Sequence, residues 1–185
     1  MASKNPPLGS TLDALAVLER DHRLVERFFS DFDHAGALQL DPIGRRICKM
    51  LRIHTQIEEE IFYPAARAAL SDPTLIDRAE EEHAAAKQTI REVEARTSDA
   101  KDYVDVVHRL CRLVEAHVRE EEGDLFPKVR ETELNLDMLA LVLLERRNTL
   151  MDVMGLHSDD EHSATPEPPR VSEGNVPENP SLRDL

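Results

Sequence analysis

The chain has 185 residues and a formal net charge of −14, with 4% aromatic residues and no tryptophan. This length suits one domain with a tail and is enough to bury a hydrophobic core. The acidic balance argues against nucleic acid or an anionic membrane as the main partner.

The sequence predicts no secretion signal and no membrane span. The first ten residues lack the apolar segment of a signal peptide, and the longest apolar run, 138–144, is far too short to cross a bilayer. Cys48 and Cys111 fit no metal-binding spacing and are typical of a reducing compartment. The cytoplasm is therefore the expected location.

Two long helices are predicted in the first half of the chain. Thr11, with Ser10 as the alternative, can cap a helix that runs to about His34. A second helix begins at Asp41, with a proline in its first turn, and ends near Leu70. Apolar residues in both helices recur in steps of three and four, as on the buried face of an amphipathic helix.

Two further long helices are predicted over roughly 74–96 and 101–131, by the same periodicity. Because short turns join these four helices, we expect neighbours to run antiparallel in an up-down-up-down four-helix bundle. A fifth helix, about 136–154, is apolar on too many sides to stand in water alone. It is expected to pack across the bundle or to form a homodimer contact.

The predicted fold is therefore all-α, with one bundle and short extensions on both sides. From 157 onward the chain is rich in proline and acidic residues and almost free of apolar ones, which predicts disorder. The expected organisation is an N-terminal arm (1–10), a four-helix bundle (11–132), an additional C-terminal helix (133–156) and a disordered acidic, proline-rich tail (157–185).

A short phrase, His-x-x-x-Glu-Glu, occurs twice, at 54–59 and 117–122. A lone histidine precedes the two copies by 32 and 34 residues respectively. A histidine and a glutamate four residues apart lie on one face of a helix. All of these polar residues fall on the stripes that the periodicity assigns to the core. They are His22, His54, Glu58, His83, His117 and Glu121.

Such a set is costly in an apolar core unless cations compensate for it. Two buried carboxylates without counterions would cost several kcal/mol each or would remain protonated. A single core histidine is more often hydrogen-bonded than metal-bound, but six converging ligands predict a site for two metal ions. Glu59 or Glu122 could orient an imidazole from outside the site. His34 and His108 lie off the stripes and are not expected to bind metal.

The ligand types narrow the choice of metal. Imidazole and carboxylate without thiolate suit iron, manganese or zinc, and two-metal sites in helix bundles favour iron or manganese. Glu58 and Glu121 are the natural bridges between the ions, and an additional oxo or hydroxo bridge would leave room for a diatomic molecule or peroxide. The expected imidazole pairs are His22 with His54 and His83 with His117.

Pro64 and Pro127 each follow a predicted bridging glutamate by six residues. A proline inside a helix leaves a carbonyl one turn back unpaired and bends the helix. The two prolines therefore either shape the end of the bundle beside the metals or simply end the regular helices.

The ordered pattern of these motifs resembles the hemerythrin-like, or HHE cation-binding, family. The resemblance covers about residues 12–130 and rests on Asp21-His22, Glu82-His83 and the two HxxxE phrases, each followed by an aromatic residue and a proline. It implies a four-helix bundle with a non-haem di-iron centre. The four histidines would be terminal ligands, and Glu58 and Glu121 would be the bridges.

Lys87 departs from the oxygen-carrying hemerythrins, which have a further histidine ligand at this place. An ammonium group cannot bind a cation, so Lys87 must point outward or pair with a carboxylate. The second HxxxE phrase is also one residue shorter than the spacing in the oxygen carriers. The four-histidine, two-glutamate set looks more like that of bacterial proteins for the repair of iron centres.

Three classes of function remain open on the sequence. One is a module that binds or senses O2, NO or peroxide, for instance in an oxygen, nitrosative or oxidative stress response. Another is a redox enzyme that reduces peroxide or NO, or a protein that stores or donates iron. The third is a metal-free helical interaction module that acts through the fifth helix and the acidic tail.

Overall fold

The computed structural model describes residues 13–156, and every element in this range is helical. The predicted arm, the tail and the alternative caps Ser10 and Thr11 lie outside the described residues. Two helices contain a π-helical turn, named here the first π turn (Glu58–Phe62) and the second π turn (Glu121–Leu125). The α-helices are α1 (Ala14–Asp33), α2 (Leu40–Ile57), α3 (Tyr63–Ala69), α4 (Thr74–Glu94), α5 (Tyr103–Glu120), α6 (Phe126–Arg130) and α7 (Leu136–Met154).

These elements form a four-helix bundle covered on one side by α7. The four long rods are α1, α2 continued by α3, α4, and α5 continued by α6. Helix α1 packs on α2, α4 packs on α5, and α2 also packs on α4. Short connections between these neighbours make them antiparallel, so the all-α bundle predicted from periodicity is confirmed.

Helix α1 begins later than the sequence suggested. Asp13 is its cap, because the Asp13 carboxylate accepts a hydrogen bond of 2.8 Å from the backbone N–H of Ala16. The helix then starts at Ala14, two residues beyond the expected first turn. Asp13 and Thr11 are both good capping residues, and the sequence pattern alone did not separate them.

The two prolines coincide with π turns rather than with helix ends. In each rod the backbone N–H five residues after the bridging glutamate bonds to that glutamate's carbonyl, Tyr63 to Glu58 and Phe126 to Glu121. Pro64 and Pro127 then occupy the first turns of α3 and α6, where their missing N–H groups are tolerated. The helices continue past both prolines, and each distortion starts at a predicted ligand.

Helix α7 packs against α1, α2 and the first π turn. Asn135 caps its start, and Gly155, with a φ of 64°, ends it in the left-handed conformation. The inner side of α7 buries Ala140, Leu143 and Arg147. Packing across the bundle is therefore observed, whereas the homodimer contact stays a prediction.

None of the helices in the range 13–156 is long and apolar enough to cross a bilayer.

Gly44 marks a close approach between α2 and the start of α5. A Cβ atom at this position would lie 2.1 Å from Tyr103 Oη and 3.2 Å from Tyr103 Cζ. Tyr103 is 1% exposed and has little room to move. We expect Gly44→Ala to lower the free energy of unfolding by about 1–3 kcal/mol, despite the better helix propensity of alanine.

Urea unfolding at a fixed metal content measures this effect. Gly36→Ala is the control, because a Cβ at Gly36 would meet nothing within 4 Å. Equal stabilities of the two variants would contradict the close packing of Tyr103 on Gly44.

Candidate metal centre

All six predicted ligands lie in the interior of the bundle, at the level where the π turns begin. Each histidine comes from a different long helix, and each glutamate is the first residue of a π turn. These residues are at most 6% exposed, and both glutamates are 1% exposed or less. The bundle therefore brings the whole predicted set together: His22, His54, Glu58, His83, His117 and Glu121.

The imidazoles face one another in the two expected pairs. Nε2 of His22 lies 3.0 Å from Nε2 of His54, and Nε2 of His83 lies 3.1 Å from Nε2 of His117. Two nitrogens that each bind one metal at about 2.1 Å, at right angles, would be about 3.0 Å apart. Both pairs have the separation that two ligands of a shared ion require.

Each glutamate contacts one histidine from each pair. Oε2 of Glu58 lies 3.1 Å from Nε2 of His54 and 3.4 Å from Nε2 of His83. Oε2 of Glu121 lies between the other two imidazoles, 3.4 Å from Nε2 of His22 and 3.5 Å from Nε2 of His117. Each carboxylate therefore lies between the two imidazole pairs, where a bridge between two ions would need it.

The donor atoms of this cluster are incompletely satisfied within the described residues. Neither oxygen of Glu58 accepts a hydrogen bond, and Oε2 of Glu121 also lacks one. Buried carboxylate oxygens without partners are strongly unfavourable. A pair of cations among them would satisfy these oxygens together with the four Nε2 atoms, so the residues present fit two metal ions.

The protonation of the cluster reflects the same crowding of charge. Burial and the neighbouring charge of Glu121 raise the pKa of Glu58 to about 8. Burial alone would lower the pKa of His22, but the adjacent carboxylates of Glu121 and Glu122 raise it to about 10. Burial opposes ionisation of Glu121 as well, yet the adjacent imidazoles of His22 and His117 hold its pKa well below the ordinary value.

Four acidic residues face the outer nitrogens of the imidazoles. This arrangement leaves Nε2 of each ring directed at the centre and fixes the orientation of the ring. Three of the acids make hydrogen bonds to Nδ1, and the fourth, Asp21, stands 3.9 Å from it. The hydrogen-bonded pairs are Glu122 with His22 (2.8 Å), Glu59 with His83 (3.0 Å) and Glu82 with His117 (3.0 Å).

Lys87 was expected either to point outward or to pair with a carboxylate, and the structure shows the pair. Its Nζ lies 2.6 Å from Oε1 of Glu59, the same oxygen that contacts His83. Hydrogen bonds with His83 and Lys87 lower the pKa of Glu59 to about 2, although partial burial opposes this. Arg23 holds Glu122 in the same way on the other side of the site.

Tyr63 reaches the centre and was not predicted from the sequence. Its hydroxyl donates a hydrogen bond of 2.9 Å to Oε1 of Glu121 and lies 3.2 Å from Nε2 of His83. Phe126 occupies the equivalent place in the second phrase and stacks on His22 with ring centroids 6.0 Å apart. A comparison of the two phrases would have shown this Tyr-to-Phe difference, but only the structure shows that the hydroxyl points inward.

The other outer residues differ in how visible they are in the sequence. Asp21 and Glu82 each directly precede a predicted ligand, so the repeat itself marks them. Arg147, which pairs with Asp21, is 126 residues away along the chain and carries no motif. His34 and His108 lie away from the cluster, bonded to the carbonyl of Ser30 and to Asp33 respectively.

A cavity of about 20 Å³ lies on the side of the imidazoles away from Tyr63. That volume is about enough for one water-sized molecule. All four histidines contribute to its walls, and most of the remaining lining is aliphatic: Val25, Leu51, Ala86, Leu113, Val114 and Val118.

The comparisons with known proteins agree with this geometry. Residues 13–129 match the family model described as the hemerythrin HHE cation binding domain. The chain belongs to this family. The HHE domain binds metal cations, and the clusters described above could hold them; the identity of the ion is a matter for the proposal below.

A solved structure with the same fold is that of a hemerythrin HHE cation binding domain-containing protein from Mycobacterium kansasii. It aligns with a TM-score of 0.67 and 24% sequence identity over 76% of this chain and 88% of that one. A likeness at this identity shows the fold alone.

A curated relative is a DNA nickase from Nostoc sp. (strain PCC 7120 / SAG 25.82 / UTEX 2576), 28% identical over 115 residues. The match covers 62% of this chain and 32% of the relative, so the chain spans about a third of that protein's length. Because two thirds of the nickase has no counterpart in the match, its activity does not carry over to this HHE domain.

The buried hydroxyl of Tyr63 can be tested by Tyr63→Phe. The substitution keeps the ring but leaves Oε1 of Glu121 without its donor, so we expect the metal-free protein to lose about 1–3 kcal/mol of stability. Urea unfolding of the metal-free protein measures this loss.

Tyr103→Phe is the matched control, because Tyr103 is also buried but its hydroxyl has no hydrogen-bond partner among the described residues. Removing that hydroxyl should be neutral or slightly stabilising. A loss of the same size in both variants would contradict a role for the Tyr63 hydroxyl at the site.

Proposed function

We propose that this HHE domain is a non-haem di-iron protein that takes up a small oxidant, O2, NO or peroxide, beside its iron pair. The supporting observation is the pair of buried glutamates. Each of them contacts one imidazole from each histidine pair. The proposed physiological setting is sensing of, or response to, oxygen, nitrosative or oxidative stress in the cytoplasm.

Iron suits the donor set because the cluster offers nitrogen and oxygen atoms and no thiolate. Cys48, the buried cysteine, is not among the clustered ligand atoms. Imidazole with carboxylate suits iron, manganese and zinc, and carboxylate-bridged pairs in bundles favour iron or manganese. We therefore propose two iron ions with an oxo or hydroxo bridge, with manganese and zinc as the alternatives.

The protein's own residues have distinct parts in this function. His22 and His54 would hold one ion, and His83 and His117 would hold the other. Glu58 and Glu121 would each bind both ions. When bound, the iron pair would supply electrons to a small oxidant. The outer carboxylates orient the imidazoles, and the hydroxyl of Tyr63 supplies a proton donor at Oε1 of Glu121.

The size and lining of the cavity favour a small uncharged ligand. About 20 Å³ admits a diatomic molecule or a peroxide but excludes an organic substrate. Aliphatic walls such as Val25 and Leu51 offer no hydrogen bonds to a charged group. The acidic surface likewise favours neither nucleic acid nor an anionic membrane as partner.

A second candidate function is a redox enzyme for peroxide or NO, or an iron donor or store. Lys87 favours it, because it replaces the additional histidine of the oxygen carriers and pairs with Glu59 instead. Without that histidine, one iron would keep an open coordination position. Peroxide or NO could react there, whereas the oxygen carriers bind their ligand reversibly.

Iron loading tests the ligand set. We expect Glu58→Ala or Glu121→Ala to abolish binding of the iron pair, because either change removes a bridge between the ions. Iron per chain, measured after anaerobic reconstitution with Fe²⁺ and desalting, reports the result.

His108→Ala is the control, because His108 is bonded to Asp33 at the surface. It should retain the full iron content. Equal iron in all of these variants and in the parent would contradict the assignment, and a parent without iron, together with unchanged stability of His54→Ala, would favour the metal-free interaction module.

Ligand uptake can be tested by filling the cavity. Ala86 is 7% exposed and lines it, whereas the neighbouring Ala85 is exposed. We expect Ala86→Leu to keep its iron but to weaken ligand uptake about tenfold or more, that is by ~1.4 kcal/mol or more. Ala85→Leu should behave like the parent.

Reduced, iron-loaded protein is prepared anaerobically and then mixed with NO, O2 or peroxide, and uptake appears as a change in the visible spectrum. A reversible change supports the binding or sensing function, and steady consumption supports the enzyme. Absence of both would leave iron storage or donation, and equal uptake by Ala86→Leu and the parent would contradict entry through this cavity.

A further inference from the structure

The two halves of the centre differ in how their outer carboxylates are anchored. Glu59, Glu82 and Glu122 are between 24% and 32% exposed, so water reaches each of them. Asp21, the acid that faces His54, is completely buried. Its counterpart in the repeat is Glu82, which faces His117. The environment of His54 is thus the dry one.

Asp21 is held by an arginine from outside the four-helix bundle. Arg147 of α7 makes a forked contact with it, from Nε to both carboxylate oxygens at 2.9 Å and from Nη2 to Oδ1 at 2.8 Å. Its Nη1 contacts Sδ of Met151 at 2.9 Å. Both partners are at most 2% exposed. A forked contact of this kind fixes the position and the plane of the carboxylate.

The corresponding contact on the other side is weak. Glu82 pairs with Arg78, whose Nε lies 3.7 Å from Oε1 of Glu82 and whose side chain is 60% exposed. Exposed ion pairs of this kind hold their partners loosely. The two halves therefore differ in how an outer carboxylate is held. Asp21 is held by a buried forked contact, and Glu82 is held by a solvated one.

The carboxylate of Asp21 faces the outer nitrogen of His54. Nδ1 of His54 has no hydrogen bond within the described residues, and the carboxylate of Asp21 lies 3.9 Å from it. When Nε2 holds a cation, Nδ1 carries the proton, and a carboxylate in this place is what a metal-bound imidazole needs. Arg147 sets the place of that carboxylate.

Helix α7 also covers the elements of this half. It packs on α1, α2 and the first π turn, the elements that carry His22, His54 and Glu58. The family match ends at residue 129, before α7 begins at Leu136. This covering element is thus an addition to the matched domain.

We propose that Arg147 is a positioning residue for the metal centre, acting through Asp21 on His54, and that it makes the two metal positions inequivalent. The ion between His22 and His54 is retained. The ion between His83 and His117 exchanges with solvent. This inference rests on the proposed pair of metal ions and extends it, because a protein with one exchangeable ion can give up iron without emptying its site.

Release of Fe²⁺ to a chromogenic ferrous chelator under anaerobic conditions tests the proposal. We expect the parent to lose its two ions in two phases. Arg147→Met, of similar length but uncharged, should accelerate the slow phase by about 10- to 100-fold and leave the fast phase unchanged. Glu82→Gln should accelerate the fast phase only.

Three further variants separate positioning from loss of the fold. Arg147→Lys keeps the charge and should restore part of the slow phase. The double variant Asp21→Asn with Arg147→Met leaves no unpaired buried charge. It should still release the ion between His22 and His54 faster than the parent does. Arg146→Ala, next along the helix but paired with exposed Glu60, should release both ions as the parent does.

Release of both ions from the parent in one phase would overturn the proposal, as would unchanged kinetics in Arg147→Met. Equal acceleration of both phases in Arg147→Met would also overturn it, because that is what general loosening of the bundle produces. In these cases two bound ions would still support the proposed function. A parent that binds no metal would overturn both.

Discussion

The structure is organised around two carboxylates that are buried without enough partners. Glu58 has no hydrogen bond to either oxygen within the described residues, and Glu121 has one from Tyr63. Isolated charges of this kind would not be tolerated in an apolar core. The four imidazoles around them provide nitrogen ligands in two pairs. Two cations would satisfy the open carboxylate oxygens, so the core of this bundle is suited to metal binding as well as to packing.

The backbone contributes to this site as well as the side chains. Each π turn starts at a bridging glutamate and inserts one residue into the helical repeat, which changes the direction of the side chains that follow. Pro64 and Pro127 lack the N–H that would continue the regular α-helical pattern. Both distortions lie next to the buried glutamates. Tyr63, the first residue after the first π turn, points at Glu121.

Periodicity sufficed to predict the bundle, because the apolar stripes of all four long helices are regular and the polar exceptions on them repeat. The same argument identified the six clustered residues, since a histidine and a glutamate four apart share a face wherever the helix continues. Other features depended on tertiary contacts. Asp13 replaced Thr11 as the cap of α1, a choice between two suitable residues that local sequence does not decide. The buried fork between Arg147 and Asp21 joins positions 126 residues apart, and no spacing rule connects them.

The two halves of the centre differ in two respects, the Tyr63-to-Phe126 difference and the buried pair of Asp21 with Arg147. Both differences separate the same two proposed metal positions. Near His22 and His54 lie Phe126, which offers no proton, the buried pair of Asp21 with Arg147, and Glu122, which is 27% exposed. Near His83 and His117 lie the hydroxyl of Tyr63 and carboxylates that water can reach. A reaction that consumes protons is better served by the second environment, and retention of a cation by the first. Under the proposed function, the Tyr-to-Phe difference and helix α7 would therefore act in one direction, because together they would divide retention of a cation and reaction between the two metal positions.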